Sequence, residues 1–363
     1  MQILSKNLIY RSLIYYPLSL VFYGATFLRN LYYDLVGTAS SQVSCMVISI
    51  GNITSGGTGK TPIAIYISSI LIKKGYSTAL LSRGYLRQTS GTVLVSKGEG
   101  PICKWEDCGD EAFMVSSHTK SVPIVVDNNR TRGANYIIKT FNPDIIILDD
   151  AFQHRSIRRN MDIVLINGND TVKDHKLLPY GTLREPWGNI KRSNMLFITK
   201  QKPNAYLNKK LEQAQIPIFE TKTINYISRT YNFSSRPIDK NKNVFLISGI
   251  ADSSFFIKTV EELGFSIIGR SIFQDHFNYS KKNILDIEKK ASAIGANYII
   301  TTEKDWVKII DLKPTYRIIV INIKIELLNE ERFINLVDNM SKSVTFPKQK
   351  QHQQRLTSVA NLY

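Results

Sequence analysis

SIGNITSGGTGKT, residues 49–61, is the stretch whose reading decides the fold. Val47 to Ile50 is an apolar, β-branched run that feeds a glycine-rich turn. Ile63, Ile67, Ile70 and Leu71 then recur on one face at helical spacing. The pattern is strand, phosphate loop, helix. Gly56, Gly57 and Gly59 let backbone N–H groups wrap phosphate oxygens with no Cβ in the way, and the helix start faces the anion. Lys60 is placed to reach the β- and γ-phosphates, and the Thr61 hydroxyl to ligate Mg²⁺. The strict spacing has glycine five residues before Gly59, where this chain has Thr54. Thr54, Ser55 and Thr58 complete the candidate ATP-binding loop. A loose glycine turn arises by chance; GGTGKT set directly between a β-run and a helical pattern does not.

Outward from the loop, residues 77–81 read as a second strand ending in SRGY, residues 82–85. Arg83 falls just past its carboxyl end, the edge that faces the ligand crevice in an open α/β sheet; a surface salt bridge is the alternative. GDEA, residues 109–112, opens a helical run. Its carboxylates either complement the helix dipole, or Asp110 serves as general base on an acceptor hydroxyl. DIIILDDAFQHR, residues 144–155, carries a strand buried on both faces, with Asp149 and Asp150 emerging at its end. A hard cation on nucleotide phosphates needs oxygen ligands there, and adjacent buried carboxylates are costly without one. LLPYGTLREPW, residues 177–187, is a loop punctuated by Pro179, Gly181 and Pro186. Its Arg184 and Glu185 read as a clamp on substrate or metal, or as an ordinary turn. Further strands over 122–127, 162–166 and 195–199, mostly separated by helical patterns, predict an α/β parallel sheet covered on both faces. Lys200, at the end of the last, borders the expected nucleotide base.

Residues 227–243 are polar and irregular, with Pro237 inside, and read as a linker between a core at 39–226 and a smaller α/β domain at 244–346. In that domain strands are expected over 244–250, 265–272, 298–302 and 317–323, and helices over 253–263 and 281–294, the latter capped by Ser280. His276, in QDHF, sits between Asp275 and an aromatic ring. It is either an incidental loop histidine or a partner to Asp110, tuning the carboxylate or shuttling its proton. The Gln- and Lys-rich tail, 347–363, reads as disordered.

A chain of 363 residues with 43% hydrophobic and 21% charged content is folded and long enough for two domains. Its net charge of +17 points to an anionic partner or to a basic, solvated surface. Basic pairs such as Lys240 with Lys242, or Lys289 with Lys290, lack interleaved aromatic platforms, which argues against nucleic acid. Three cysteines argue against a disulfide framework and for a reducing compartment. Cys103 and Cys108 have no second ligand pair for zinc. Residues 12–28 carry no charge, are bracketed by Arg11 and Arg29, and are interrupted by Pro17. Seventeen residues is the lower limit for a bilayer span. Tyr10, Tyr15, Tyr16, Tyr23, Tyr32 and Tyr33 suit the membrane–water interface, and Lys6, Arg11 and Arg29 suit anionic headgroups. Residues 1–38 are therefore expected to form a helix that docks on an anionic membrane surface. A buried core helix is the alternative, and a signal peptide is disfavoured because no small-residue cleavage site follows.

Behind that arm, GNITSGGTGKTP, LSRGY, GDEA, LDDAFQHR, LPYGTLREP, FQDHF and TTEKD follow in order. The ordered set resembles the tetraacyldisaccharide 4′-kinases of lipid A biosynthesis over nearly the whole chain. The resemblance implies a P-loop kinase core with a smaller C-terminal α/β domain. It implies that ATP phosphorylates the 4′-hydroxyl of a tetraacyldisaccharide 1-phosphate lipid at the cytoplasmic face of a Gram-negative inner membrane. The phosphate loop and Asp149–Asp150 would hold Mg-ATP, Asp110 and His276 would be the catalytic pair, and Glu185 an accessory metal-side or substrate contact. Two departures stand out: Ala112 where the family often has proline, and Ser55 where a hydrophobic residue is common. The rival is a membrane-associated switch ATPase of the ParA/MinD-like type. Those proteins carry an extra lysine before the paired glycines, where this chain has Ser55. A monomer is expected, with the two domains closing on substrate.

Overall fold

The computed structural model describes residues 2–233, 238–239 and 241–343, with the side chains of residues 2–12 and 38 excepted. The tail at 347–363, Pro237 and Lys240 in the expected linker, and the side chains of Lys6, Tyr10 and Arg11 lie outside the described residues.

The chain opens with α1 (Gln2–Leu35), then β1 (Met46–Asn52), α2 (Lys60–Lys73), β2 (Thr78–Ser82), β3 (Val93–Ser96), the single turn α3 (Trp105–Cys108) and α4 (Asp110–His118). β4 (Ile124–Val126), α5 (Arg130–Phe141), β5 (Ile145–Asp149), β6 (Met161–Asn167), β7 (Met195–Thr199), α6 (Ala205–Ala214) and β8 (Ile218–Tyr231) follow. β9 (Asn243–Ser248), α7 (Ser253–Glu262), β10 (Ser266–Ile272), α8 (Lys281–Ala293), β11 (Tyr298–Thr302), α9 (Glu303–Ile309), β12 (Ile318–Leu327) and α10 (Glu330–Ser343) complete it.

The strands join in the order β10-β9-β11-β12-β8-β7-β6-β1-β5-β2-β4-β3. β1 is central, parallel to β5 on one side and β6 on the other. It is buried along its whole length because alternate residues feed two layers. Met46, Ile48 and Ile50 pack with Ile63, Ile67 and Ile70 of α2. Val47 packs with Leu148 and with Ala134 and Ile137 of α5 on the other face. The β9–β11 group is likewise covered on both faces, by α8 and α9 on one and by α7 on the other.

A long antiparallel ribbon joins the two groups. β8 begins parallel to β7 over Ile218 to Glu220, then pairs with β12 from Thr221 to Tyr231. β12 is parallel to β11, and β11 to β9. The second group therefore runs back toward the first, and the carboxyl edges of both face one another across a cleft. Thr223 of β8 and Ile321, Asn322, Ile323 and Ile325 of β12 line its floor.

Two expectations change here. The polar stretch read as linker from residue 227 is strand as far as Tyr231; its polarity reflects a half-exposed ribbon rather than a loop. Nor does the stretch 244–346 stay in one unit. Ile325 and Leu327, with Phe333, Ile334 and Val337 of α10, return to the core that holds β1.

Helix α1 is turned inside out. Ser19, Thr26 and Asn30 are buried against the body, while Leu13, Leu18, Leu20, Val21, Phe27, Leu28 and Leu35 face outward. Among the described residues no helix is long and apolar enough to cross a membrane.

Candidate functional site

A cavity of about 760 Å³ fills the cleft. One wall is the loop between β1 and α2. Gly56 (φ +110°) and Gly59 (φ +86°) hold conformations that favour glycine, and nothing stands within 4 Å of where a Gly56 Cβ would be. The 177–187 stretch fastens this loop from behind. Ser55 N–H donates to the Thr182 carbonyl at 2.7 Å, and Arg184 N–H to that of Ile53 at 2.7 Å. Thr54 and Ser55 line, with Gly56, Gly57 and Thr58, a smaller adjoining cavity of about 170 Å³.

Lys60 Nζ lies 3.4 Å from Asn52 Oδ1 and 3.7 Å from Asp150 Oδ1. Arg184 Nη1 donates to Asp150 Oδ1 at 3.0 Å. Burial would raise the Asp150 carboxyl, but the Lys60 and Arg184 charges outweigh it and hold it below its usual range. Asp149 next to it differs. Burial, then the Glu111 and Asp150 charges, push its carboxyl up to about 7. Its Oδ1 has no hydrogen-bond partner among the described residues. Arg130, pushed down to about 10 by burial against the pull of Asp149 and Asp150, donates through Nη2 to the Asp149 carbonyl at 3.3 Å.

The opposite wall joins the two halves. Asp110 starts α4 after Gly109 (φ +90°), where a Cβ would come 2.8 Å from the Tyr85 carbonyl. His276, itself at φ +60°, places Nδ1 2.9 Å from Asp110 Oδ2. Lys308 Nζ reaches the same oxygen at 3.3 Å. Lys304 Nζ lies 3.0 Å from His276 Nε2, 3.0 Å from Glu111 Oε1 and 3.1 Å from Asp275 Oδ1. An imidazole with its hydrogen on Nδ1, accepting at Nε2 from Lys304, satisfies every one of these contacts. Burial opposes ionisation of Asp110, yet the His276 hydrogen bond and the Lys304, His276 and Lys308 charges hold its carboxyl down at about 2. Asp305 anchors the wall by accepting from Gly249 N–H at 3.0 Å, Thr302 Oγ1 at 2.7 Å and Tyr279 Oη at 3.1 Å.

The residues singled out in the sequence thus converge unevenly. Residues 56–61, Arg83, Asp149, Asp150, Arg184, Lys200 and His276 line the main cavity. Asp110 stands directly behind His276. Lys200 is tied to Asp252 at 2.5 Å. Glu185 is not in the cleft lining. It is fully buried and accepts from Asn30 Nδ2 at 2.9 Å, Asn189 Nδ2 at 2.8 Å and Arg192 Nη2 at 2.6 Å. Where a metal or substrate contact was expected, its contacts here are with Asn30 of α1 and with Asn189 and Arg192. Sequence reasoning passed over Lys304 and Lys308. Their spacing of four on α9 puts both ammonium groups on the face that meets Asp110 and His276, a signal present in TTEKDWVK.

A phosphate loop at the carboxyl edge of a parallel sheet, with twin aspartates beside it and an Asp–His pair across the cleft, defines a P-loop phosphotransferase. Comparison with known proteins narrows the class. The sequence model described as LpxK: Tetraacyldisaccharide-1-P 4'-kinase matches residues 11–342, and the chain belongs to this family. A tetraacyldisaccharide 4'-kinase of Chlorobium limicola is 35% identical over 292 residues, covering 78% of this chain and 83% of the relative. That of Desulfotalea psychrophila is 34% identical over 302 residues, covering 81% and 87%. The crystal structure of the "apo" form of LpxK from Aquifex aeolicus in complex with ATP superposes with a TM-score of 0.72 at 30% identity, covering 91% of this chain and 99% of that one. The chain is a kinase of lipid A biosynthesis; a switch ATPase of the ParA/MinD-like type finds no support.

Proposed function

We propose that this chain binds Mg-ATP along the phosphate loop and directs the γ-phosphoryl group to the 4′-hydroxyl of a tetraacyldisaccharide 1-phosphate lipid, with His276 and Asp110 acting on that hydroxyl. The observation that carries the reading is the 2.9 Å His276–Asp110 contact across the cavity that holds Lys60 and Asp150.

The residues fit a magnesium nucleotide. Gly56 and Gly57 leave open space over the loop, and Asp149 turns a partnerless buried oxygen. Among the described residues no three histidine, cysteine or carboxylate side chains form a metal cluster. Thr61, Asp149 and Asp150 would therefore hold the ion together with phosphate oxygens and water, as suits Mg²⁺. Bound there, Mg²⁺ would neutralise charge on the transferring phosphoryl group.

Lys60 supplies a positive charge beside the phosphates, freed from Asp150 as the nucleotide arrives. Arg184 and Arg130 neutralise the two aspartates. On the far wall, Asp110 stays ionised and holds the His276 Nδ1 hydrogen, which leaves Nε2 as the proton acceptor for the sugar hydroxyl. Lys304 occupies that nitrogen in the resting state, so the acceptor hydroxyl displaces a hydrogen bond rather than meeting a bare base. Because Asp110 comes from the half that carries the phosphate loop and His276 from the other, the pair holds only while the two halves are together.

The lipid acceptor places the work at a bilayer. Support comes from α1: its polar stripe faces the protein and its apolar residues face out. In water that arrangement exposes what a helix normally buries. Against a bilayer each buried CH₂ contributes about 0.8 kcal/mol. The net charge of +17 favours anionic lipid. We place the enzyme as a monomer on the cytoplasmic face of the inner membrane.

The test is incubation of purified protein with γ-labelled ATP, Mg²⁺ and the disaccharide 1-phosphate in mixed micelles. The expected product is a bisphosphorylated lipid labelled at the 4′ position. ATP hydrolysis with no labelled lipid would overturn the reading.

A further inference from the structure

Cys103 and Cys108 play no part in the chemistry above, and the fold brings them together. Their Sγ atoms stand 2.7 Å apart, about 0.7 Å more than the disulfide bond length of about 2.0 Å. No third histidine, cysteine or carboxylate joins them in a metal cluster among the described residues. The pair therefore has the proximity of a redox couple and not the donor set of a metal site. The two sulfurs are not equivalent. Cys103 is half-buried, while Cys108 is fully buried in the core under α2. The hydrogen bond with Cys108 lowers the Cys103 thiol in spite of burial. The same bond and burial raise that of Cys108. Cys45, the remaining cysteine, is buried and pushed up to about 12 by burial.

Position gives the pair its consequence. α3 lies between the two cysteines, and its turn holds the loop that follows β2. Gln88 N–H donates to the Glu106 carbonyl at 2.8 Å, and Thr89 Oγ1 to that of Asp107 at 2.5 Å. The Cys108 carbonyl presses on the SRGY turn, 3.0 Å from where a Gly84 Cβ would stand. Cys108 leads through Gly109 directly into Asp110. Drawing Cys108 Sγ onto Cys103 takes it from the Lys104 carbonyl, its partner at 3.1 Å, and pulls on the residue that positions Asp110.

We propose that Cys103 and Cys108 form a reversible dithiol–disulfide site whose oxidation slows phosphoryl transfer by displacing Asp110. The oxidant is a small-molecule disulfide. The Cys103 thiolate attacks one of its sulfurs, forming a mixed disulfide and releasing one small thiolate. The Cys108 sulfur then attacks Cys103 Sγ, closing the protein disulfide and expelling the second small thiol, which carries away the Cys108 proton. Two protein thiols and one small disulfide become one protein disulfide and two small thiols. Cys103 is the attacking sulfur because it is the more accessible and the more acidic.

The disulfide formation is independent of the kinase reading, and the experiment keeps the two apart. The full chain is equilibrated in oxidised and reduced glutathione at graded ratios, alkylated, digested and weighed. The proposal expects the 103–108 peptide to lose two hydrogens and resist alkylation, with Cys45 unmodified. It expects Cys103→Ser to block ring closure. Two alkylatable thiols at every ratio, or glutathione accumulating on Cys103 without closure, would overturn the site. Turnover of the oxidised protein is then measured against the same sample treated with dithiothreitol. A reversible loss of about tenfold, with ATP affinity unchanged, is expected from a displaced catalytic group. Ring closure without a change in turnover would overturn the control of Asp110.

Discussion

The two walls of the cleft are built by different means. The nucleotide wall is a backbone device: glycines at positive φ, a helix start, and a loop fastened to the 177–187 stretch by main-chain hydrogen bonds. The acceptor wall is a side-chain device. Its order depends on Asp110 and Glu111 from one half meeting His276, Lys304 and Lys308 from the other. A wall made of backbone is in place before substrate arrives. A wall made of ion pairs across two halves exists only when the halves are together. Binding and transfer should therefore separate cleanly under mutation.

Lys60→Ala is the largest test of the first wall. It should lower kcat/KM by about a thousandfold or more and weaken ATP binding together with it, read from initial rates and titration calorimetry. His276→Ala tests the second, with a fall in turnover of about a hundredfold to a thousandfold while ATP affinity stays within a few-fold. If His276→Ala weakens ATP binding as much as Lys60→Ala does, the division between the walls fails. Glu185→Ala sharpens the comparison from outside it. It leaves Arg29 and Arg192 without their buried partner and should cost about 3 kcal/mol of stability. Thermal unfolding would read that loss, and KM for ATP should be unchanged. A raised KM with normal stability would return Glu185 to the nucleotide site.

The smallest effect is one of pH. The Asp110 carboxyl is held at about 2 against an ordinary 3.8. A depressed acid contributes stability that is complete above its ordinary value and is lost as pH falls through its folded value. Wild type should therefore lose about 2 kcal/mol more than Asp110→Asn between pH 4 and pH 2, seen as converging unfolding midpoints. The same shift keeps Asp110 ionised at neutral pH, so it contributes no limb to a pH–rate profile between 5 and 9.

How far the sequence could be read follows the same division. A glycine loop announces itself locally, because strand, turn and helix start lie within a few residues of each other. Strands β1, β5, β6 and β7 were equally legible as apolar runs, since burial on both faces removes any ambiguity of pattern. The ribbon was not. β8 is half-exposed along most of its length, so its polar residues look like linker, and its partner β12 is about ninety positions away. The return of α10 to the first core was hidden for the same reason: nothing in an amphipathic helix names the surface it packs on. The chemistry of His276 offered it as a partner to Asp110, but so did an incidental loop position, and only the fold brings the two together. Lys304 and Lys308 belonged to a motif visible in the chain, but their role needed the other half of the cleft in view. Arg184 faces the cavity while the side chain of Glu185, next to it, turns the other way, toward α1, a difference that adjacent positions in a loop do not announce.

The most direct test is a double-mutant cycle on Asp110→Asn and His276→Ala, with turnover and ATP dissociation constants measured on the same four proteins. If the two residues act as one unit across the cleft, the double mutant should be no slower than the worse single mutant, and all four proteins should bind ATP alike. Losses that multiply would mean the two side chains work separately, and the joined wall described here would not exist.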